Sequence, residues 1–469
     1  MPQGETKRLF GTDGIRGRAG EYPLDERTIV LIGRALVHNL TRELGHSPNL
    51  VIGRDTRQSG PPIEAALAHG AASAGAEVES AGVITTPGVA FITRRTPFDA
   101  GVVISASHNP YHDNGIKVFA PSGKKLADDM ERHIEADIAR AEQDEASTDS
   151  FSPFQYEAAA SDQHHEREAE YQARYIDYLA DEVSGGLSLE GYRIGIDCAN
   201  GAAFEIAPRL FARLGARLSV MANAPDGRNI NAGCGSLHLE HLQRRVVNEK
   251  LDLGIAFDGD ADRALFVDSE GRLVDGDATL LVLADFLRAH DQLAGNAMVA
   301  TVMSNIGLEL ALKERQIEMV RAQVGDRYVL DELLRRGAKL GGEQSGHIIF
   351  PDISLAGDGL ITAIELLRAV RESGRTLSEL AAQMKRYPQV LVNVHVSRKP
   401  PLDTLPAVKA AIEQLENELQ GQGRLLVRYS GTENLARVMI EGEQQNHIDA
   451  QANHLAEIIR QTIGASANP

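Results

Sequence analysis

The chain has 469 residues, 43% hydrophobic and 24% charged, enough for about three or four domains of ~100–200 residues, each with a core. A formal charge of −18 argues against a nucleic-acid surface or an anionic membrane as partner. Only Cys198 and Cys234 are cysteines, which excludes a disulfide framework, fits a reducing cytosol and makes each a small core residue.

The opening residues, Met-Pro-Gln-Gly-Glu-Thr-Lys, carry no apolar signal region, and no apolar run approaches the length of a membrane span. A cytoplasmic protein with no membrane partner is expected. Ile29, Ile32, Leu36, Leu40 and Leu44 recur at helical spacing and predict an amphipathic helix. Strand 50–53, helix 62–73 and strand 76–79 follow as a βαβ unit. Leu126, Met130, Ile134 and Ile138 predict a second core-facing helix. From 141 to 170 the chain turns polar and acidic, reading as a linker or surface insertion in which His164 and His165 are solvated. Two more βαβ units are predicted, with strand 193–197, helix 204–214 and strand 216–220, then strand 298–302, helix 308–315 and strand 317–320. Tyr387-Pro388 marks a boundary, after which strand 390–396, helix 407–419 and strands 424–429 and 436–441 predict a small α+β domain. The expected class is α/β: three similar domains with mixed sheets over 1–155, 156–265 and 266–380, and an α+β domain over 386–469.

Four segments carry chemistry. In Val103-Ile104-Ser105-Ala106-Ser107-His108-Asn109-Pro110 a buried strand breaks into a turn that Pro110 fixes. A lone serine there caps a turn; at the end of an α/β strand it is also placed to be a nucleophile. After the apolar run 253–257 comes Asp258-Gly259-Asp260-Ala261-Asp262-Arg263. Three alternate carboxylates converge on a small hard cation, with Mg²⁺ the natural choice; the alternative is a solvated acidic turn. An EF-hand is excluded, because Arg263 and Ser269 stand where its Gly and Glu belong. Arg428-Tyr429-Ser430-Gly431-Thr432-Glu433-Asn434 offers backbone N–H groups, two hydroxyls and a guanidinium to a phosphate, and no Walker ending occurs in the chain. Glu343 and Ser345 in Gly341-Gly342-Glu343-Gln344-Ser345-Gly346-His347 are spaced to bind vicinal sugar hydroxyls, although a hairpin turn also explains the glycines.

Together the four segments, with Gly11-Thr12-Asp13-Gly14-Ile15-Arg16-Gly17 at the start and Arg437-Val438-Met439-Ile440-Glu441-Gly442 at the end, resemble the α-D-phosphohexomutase superfamily nearly end to end. The 342–347 and N-terminal motifs look like its glucosamine branch. Asn434 departs from the usual Pro of the phosphate loop, and the acidic 141–170 segment is longer than the family norm. The resemblance implies four domains around a central cleft and interconversion of glucosamine 6-phosphate and glucosamine 1-phosphate. It implies one Mg²⁺ on Asp258, Asp260, Asp262 and a phosphorylated Ser107, and a bisphosphorylated sugar intermediate. It places Ser107, Lys117, His108 and Arg16 in catalysis. Substrate binding falls to Glu343, Ser345, His347, Arg327, Arg263, Arg428, Ser430, Gly431, Thr432, Asn434 and Arg437. Acid/base work is open between Lys117 and His108. A homodimer is expected by analogy, as is a role in supplying UDP-N-acetylglucosamine. The rival readings are a phosphomannomutase/phosphoglucomutase with the same machinery, a metal-dependent phosphatase, which does not need the remote Arg428 loop, and a non-catalytic sensor, which does not need Ser107 and the three aspartates.

Overall fold

The computed structural model describes residues 8–11, 13–145, 162–419, 421, 423–430 and 434–464. The chain forms two compact units, Met1–Val302 with Ile317–Ala382, and Met303–Gln316 with Gln383–Pro469.

The first unit holds three sheets. In the first, strands run in the order Phe10–Gly11, Gly14–Arg18, Asp113–Phe119, Ala100–Ile104, Asn49–Arg54, Glu77–Val83. Asn49–Arg54 is parallel to both its neighbours and the remaining pairings are antiparallel, so the sheet is mixed. Ala100–Ile104 is buried at every residue, the pattern of a strand covered on both faces. The helix carrying the apolar stripe spans Glu26–Leu44; Asp25 caps its start by accepting from the Thr28 amide, and Gly45 ends it in the left-handed region. The second sheet has the order Leu273–Val274, Ala264–Asp268, Leu253–Phe257, Arg193–Asp197, Arg217–Met221. The third has Glu318–Ala322, Ala297–Thr301, Gly341–Gly342, Ile348–Ile349. Each serine, aspartate or glycine-rich motif thus leaves the end of a buried strand, where α/β sheets present ligand-binding loops.

Of the polar 141–170 segment, 141–145 and 162–170 are described. Helix Asp128–Glu145 runs into it and helix Asp162–Asp177 leaves it. Its Glu, Gln, Ala and Arg are strong helix formers, its described side chains are exposed or half-buried, and the second helix buries Tyr171, Tyr175 and Ile176 only beyond it. The side chains of His164 and His165 lie outside the described residues. The helix expected at 204–214 spans Ile206–Arg213, because Gly201 to Phe204 form turns first.

The second unit is built on an antiparallel sheet in the order Gln389–His395, Leu435–Glu441, Arg424–Tyr429. Helices Pro406–Leu419 and Gln445–Ile463 cover it, packing Val408, Leu455 and Ile459 against Val394, Val438 and Ile440. Helix Ile306–Glu314, the crossover between two strands of the third sheet, belongs to this unit. Asn305 ties it in by donating to Tyr387 O at 2.9 Å and Glu441 Oε1 at 3.1 Å. Three α/β domains and a small C-terminal α+β domain are therefore present. Among the described residues, no helix is long and apolar enough to cross a membrane.

Candidate active site at the serine and aspartate loops

Ser107 adopts φ 51°, the left-handed region that costs a non-glycine residue about 1–2 kcal/mol. Its neighbours over-determine that conformation. The Ser107 amide donates to Ser105 Oγ at 2.9 Å, and Ser105 Oγ donates to Asp55 Oδ2 at 2.6 Å. The Ser107 carbonyl accepts from Arg57 Nη2 and Asn231 Nδ2, both at 2.9 Å. The hydroxyl then faces a carboxylate, donating to Asp258 Oδ2 at 2.6 Å, with His108 Nδ1 at 3.2 Å.

The aspartate loop joins antiparallel strands Leu253–Phe257 and Ala264–Asp268, and Ala261 makes its tight turn at φ 55°. Asp258, Asp260 and Asp262 are 0%, 1% and 5% exposed, and one oxygen from each lies within 4.8 Å of the others. Burial and the other two carboxylates push Asp258 well above the ordinary carboxylate range, the direction expected where anions crowd together without a cation. Asp260 Oδ1 is buried without a hydrogen-bond partner, whereas its Oδ2 accepts from Thr86 Oγ1 at 2.7 Å and Lys117 Nζ at 3.0 Å. An orphaned oxygen in a set of hard oxygen donors fits a divalent cation such as Mg²⁺. Gly259 permits the close approach of the two loops, since a Cβ there would lie 2.5 Å from the Ser107 carbonyl oxygen.

Cations ring the carboxylates. Burial alone would lower Lys117, but Asp13, Asp260 and Asp262 outweigh it and hold the ammonium well above its usual range. Its nitrogen lies 3.2 Å from Asp13, 3.0 Å from Asp260 and 3.4 Å from Asp262, so it serves the carboxylates rather than Ser107. Asp13 also binds Arg16 and Lys125. Arg263 donates its amide to Asp258 Oδ1 at 3.2 Å, with its guanidinium 3.7 Å from Asp262. His108 is the exception among the basic groups: burial, then Arg263 and Arg16, lowers it to about 4, so the imidazole beside Ser107 is neutral near pH 7.

The glycine-rich segment is a hairpin, with Glu343 N–H donating to His347 O at 2.9 Å and Gly346 N–H to Glu343 O at 3.0 Å. Glu343 accepts from the Gly325 amide at 3.0 Å and Ser345 Oγ lies 3.4 Å from Glu343, so the pair does share one face. His347 does not join them. It is 5% exposed, 3.6 Å from Asp262 and 3.8 Å from Asp326; burial would lower it, but these carboxylates raise it to about 9. It is an imidazolium that supports Asp262. Arg327 is also drawn aside, onto Asp128 and Glu131.

In the second unit Arg428 and Arg437 stand opposite each other on paired strands. Burial, then Arg437, lowers Arg428, a like-charge pairing suited to an anion. Arg437 Nη2 lies 3.4 Å from Ser430 Oγ, and Lys399, which the sequence did not flag, donates to Ser430 O at 2.8 Å. Asn434 is exposed and accepts the Val396 amide through its carbonyl at 2.9 Å. Gly431 and Thr432 lie outside the described residues. Sequence reasoning missed Asp55, Arg57, Thr86 and Asn231; none stands in a recognisable motif, and only the fold brings them to the loops. Asp13 lay within a quoted motif without a role.

A hydroxyl against three buried carboxylates, with a neutral imidazole beside it and cations around it, is the equipment of metal-assisted phosphoryl transfer. Four matches to families described as phosphoglucomutase/phosphomannomutase cover domain I at 7–145, domain II at 173–271, domain III at 275–387 and the C-terminal domain at 391–458. The chain belongs to the phosphoglucomutase/phosphomannomutase family. It is 49% identical over 458 residues to the phosphoglucosamine mutase of Solibacter usitatus, covering 98% of this chain and 99% of that one. It is 48% identical over 463 residues to that of Koribacter versatilis, covering 98% of each. A phosphoglucomutase/phosphomannomutase family protein from Burkholderia thailandensis has the same fold, with TM-score 0.76, 22% identity and 97% of each chain covered. So does Aspergillus fumigatus N-acetylphosphoglucosamine mutase, solved with GlcNAc-6P and magnesium, at TM-score 0.65, 18% identity and 97% and 96% coverage.

Proposed function

We propose that this protein interconverts glucosamine 6-phosphate and glucosamine 1-phosphate, with Ser107 as the phosphoryl carrier. The observation that carries the mechanism is the Ser107 hydroxyl, 2.6 Å from Asp258 inside a buried carboxylate triad. The sugar is taken from the phosphoglucosamine mutases to which the chain is nearly half identical. A sugar hydroxyl oxygen attacks the phosphorus of phosphorylated Ser107, the bond from phosphorus to Oγ breaks, and a sugar bisphosphate results. In this reading His108, held neutral by burial and 3.2 Å from Oγ, takes the sugar hydroxyl proton and returns it to the leaving Oγ, whereas Lys117 is already protonated. After the bisphosphate turns over, its other phosphoryl group passes back to Oγ. Asp258, Asp260 and Asp262 would hold Mg²⁺, which when bound supplies charge neutralisation at the transferring oxygens. The same reading assigns the serine phosphate to Arg263 and Arg16, the sugar hydroxyls to Glu343 and Ser345, and the distal phosphate to Arg428, Ser430, Thr432 and Arg437. Cytoplasmic residence, homodimerisation and a role in supplying UDP-N-acetylglucosamine belong to the same reading.

The test compares turnover of glucosamine 6-phosphate, mannose 1-phosphate and glucose 1-phosphate at equal concentration by one Mg²⁺-loaded, phosphorylated preparation, with Ser107→Ala as control. Preference for the amino sugar, lost in the variant, is expected. Preference for mannose or glucose would keep the mechanism and change the substrate. Full activity in Ser107→Ala would overturn the mechanism.

A further inference from the structure

The peptide groups on both sides of Ser107 are pinned to one buried carboxylate. Asp55, 0% exposed, accepts from Ser105 Oγ, which receives the Ser107 amide. Asp55 also accepts from Arg57 Nε at 2.9 Å and from the Arg57 amide at 2.9 Å, orienting a guanidinium that is 1% exposed. That guanidinium is spent on the serine loop. Nη2 donates to Ser107 O at 2.9 Å and Asn109 O at 2.8 Å, and Nη1 donates to Pro110 O. From the second α/β domain, Asn231 Nδ2 donates to the same two carbonyls, Ser107 O at 2.9 Å and Asn109 O at 3.0 Å. No metal ligand is among these donors. A planar fork with several fixed N–H groups meets three carbonyls at once, which the single nitrogen of a lysine does not.

We propose that Arg57 and Asn231 form a carbonyl clamp and are positioning residues for phosphoryl transfer. They hold Ser107 in its left-handed conformation so that Oγ faces Asp258. Because Asn231 comes from the domain that supplies the aspartates, the clamp also registers the serine loop against the metal loop. The inference rests on the phosphoserine reading given above.

The experiment uses the full chain carrying Arg57→Lys or Asn231→Ala, each phosphorylated by a hexose 1,6-bisphosphate and checked for phosphoserine by intact mass. Single-turnover transfer from phosphoserine to glucosamine 6-phosphate is then followed alongside KM, the unfolding midpoint and amide exchange across 107–110. A loop misplaced by an ångström loses about 100-fold in transfer rate. Arg57→Lys is expected to show such a loss, and Asn231→Ala about a tenfold one, with KM unchanged, the fold retained and exchange faster at 107–110. Transfer at the wild-type rate in folded Arg57→Lys overturns the clamp. So does transfer at the wild-type rate in folded Asn231→Ala. If Arg57→Lys does not fold, Asn231→Ala decides, since it deletes two hydrogen bonds and no charge. Wild-type protein that takes up phosphate but transfers none would instead overturn the mutase reading on which the clamp depends.

Discussion

Gly259 sits where the aspartate loop touches the serine loop, and replacing it by alanine tests how tightly the two are registered. A Cβ at this position would lie 2.5 Å from Ser107 O, 2.8 Å from Ile230 Cδ1 and 2.9 Å from Asn231 Nδ2. Ordinary contact begins near 3.4 Å, so the loops must part by about 0.9 Å, and a misplacement of about 1 Å at a reacting centre costs ~10²-fold. The carbonyl has little freedom to retreat, because Arg57 Nη2 and Asn231 Nδ2 both donate to it at 2.9 Å and would have to move with it. Gly259→Ala is therefore expected to lower kcat about 100-fold, equivalent to about 2.7 kcal/mol of transition-state stabilisation. Overpacking adds a stability loss of about 1–3 kcal/mol. The assay is steady-state mutase turnover at saturating Mg²⁺, with unfolding followed in parallel. KM for the sugar phosphate should stay near the wild-type value, since Glu343 and Ser345, the proposed sugar ligands, lie on a separate hairpin. Wild-type turnover in a folded Gly259→Ala protein would refute the reasoning, because the two loops would then tolerate separation.

Thr86 anchors Asp260 through both its hydroxyl, 2.7 Å from Oδ2, and its amide, 3.0 Å from the carbonyl. Thr86→Val keeps the amide and loses the hydroxyl, and the Mg²⁺ concentration for half-maximal turnover should rise about 10–100-fold; an unchanged Mg²⁺ titration would count against that role. Asp358, fully buried and bonded to the Tyr175 hydroxyl at 2.5 Å, is raised by burial to about 6. The folded state thus holds this proton more tightly than the unfolded state does. The resulting stability is complete below the ordinary aspartate range and is lost as pH rises through about 6, amounting to about 3 kcal/mol. Asp358→Asn, which can still cap helix Gly359–Ser373, should escape that loss. Denaturant unfolding between pH 4 and 7 should show the variant gaining on the wild type as pH rises, and parallel curves would dismiss Asp358 as the source.

What the sequence determined by itself is local. The three carboxylates of Asp258-Gly259-Asp260-Ala261-Asp262 lie within five residues of one turn, so their convergence was readable before the fold was known. Ser107 in the turn beyond Ile104, the stripe along Glu26–Leu44 and the βαβ succession depend on spacings of two to four residues, and these are visible in a string. At 141–170 polarity marked exposed surface where residues are described, but did not show that helices Asp128–Glu145 and Asp162–Asp177 enter and leave the segment. Tertiary structure decided the rest. Lys117 is close to Ser107 in sequence, yet its ammonium is taken by Asp13, Asp260 and Asp262. His347 follows Ser345 in a sugar-binding pattern, yet the hairpin turns it inward to Asp262. Arg57 and Asn231 reach the same carbonyls from sites far apart in the chain. Such partners share no period and no motif. They are selected by the cost of burying a charge or a carbonyl without a partner, and that cost exists only once the chain has closed around it.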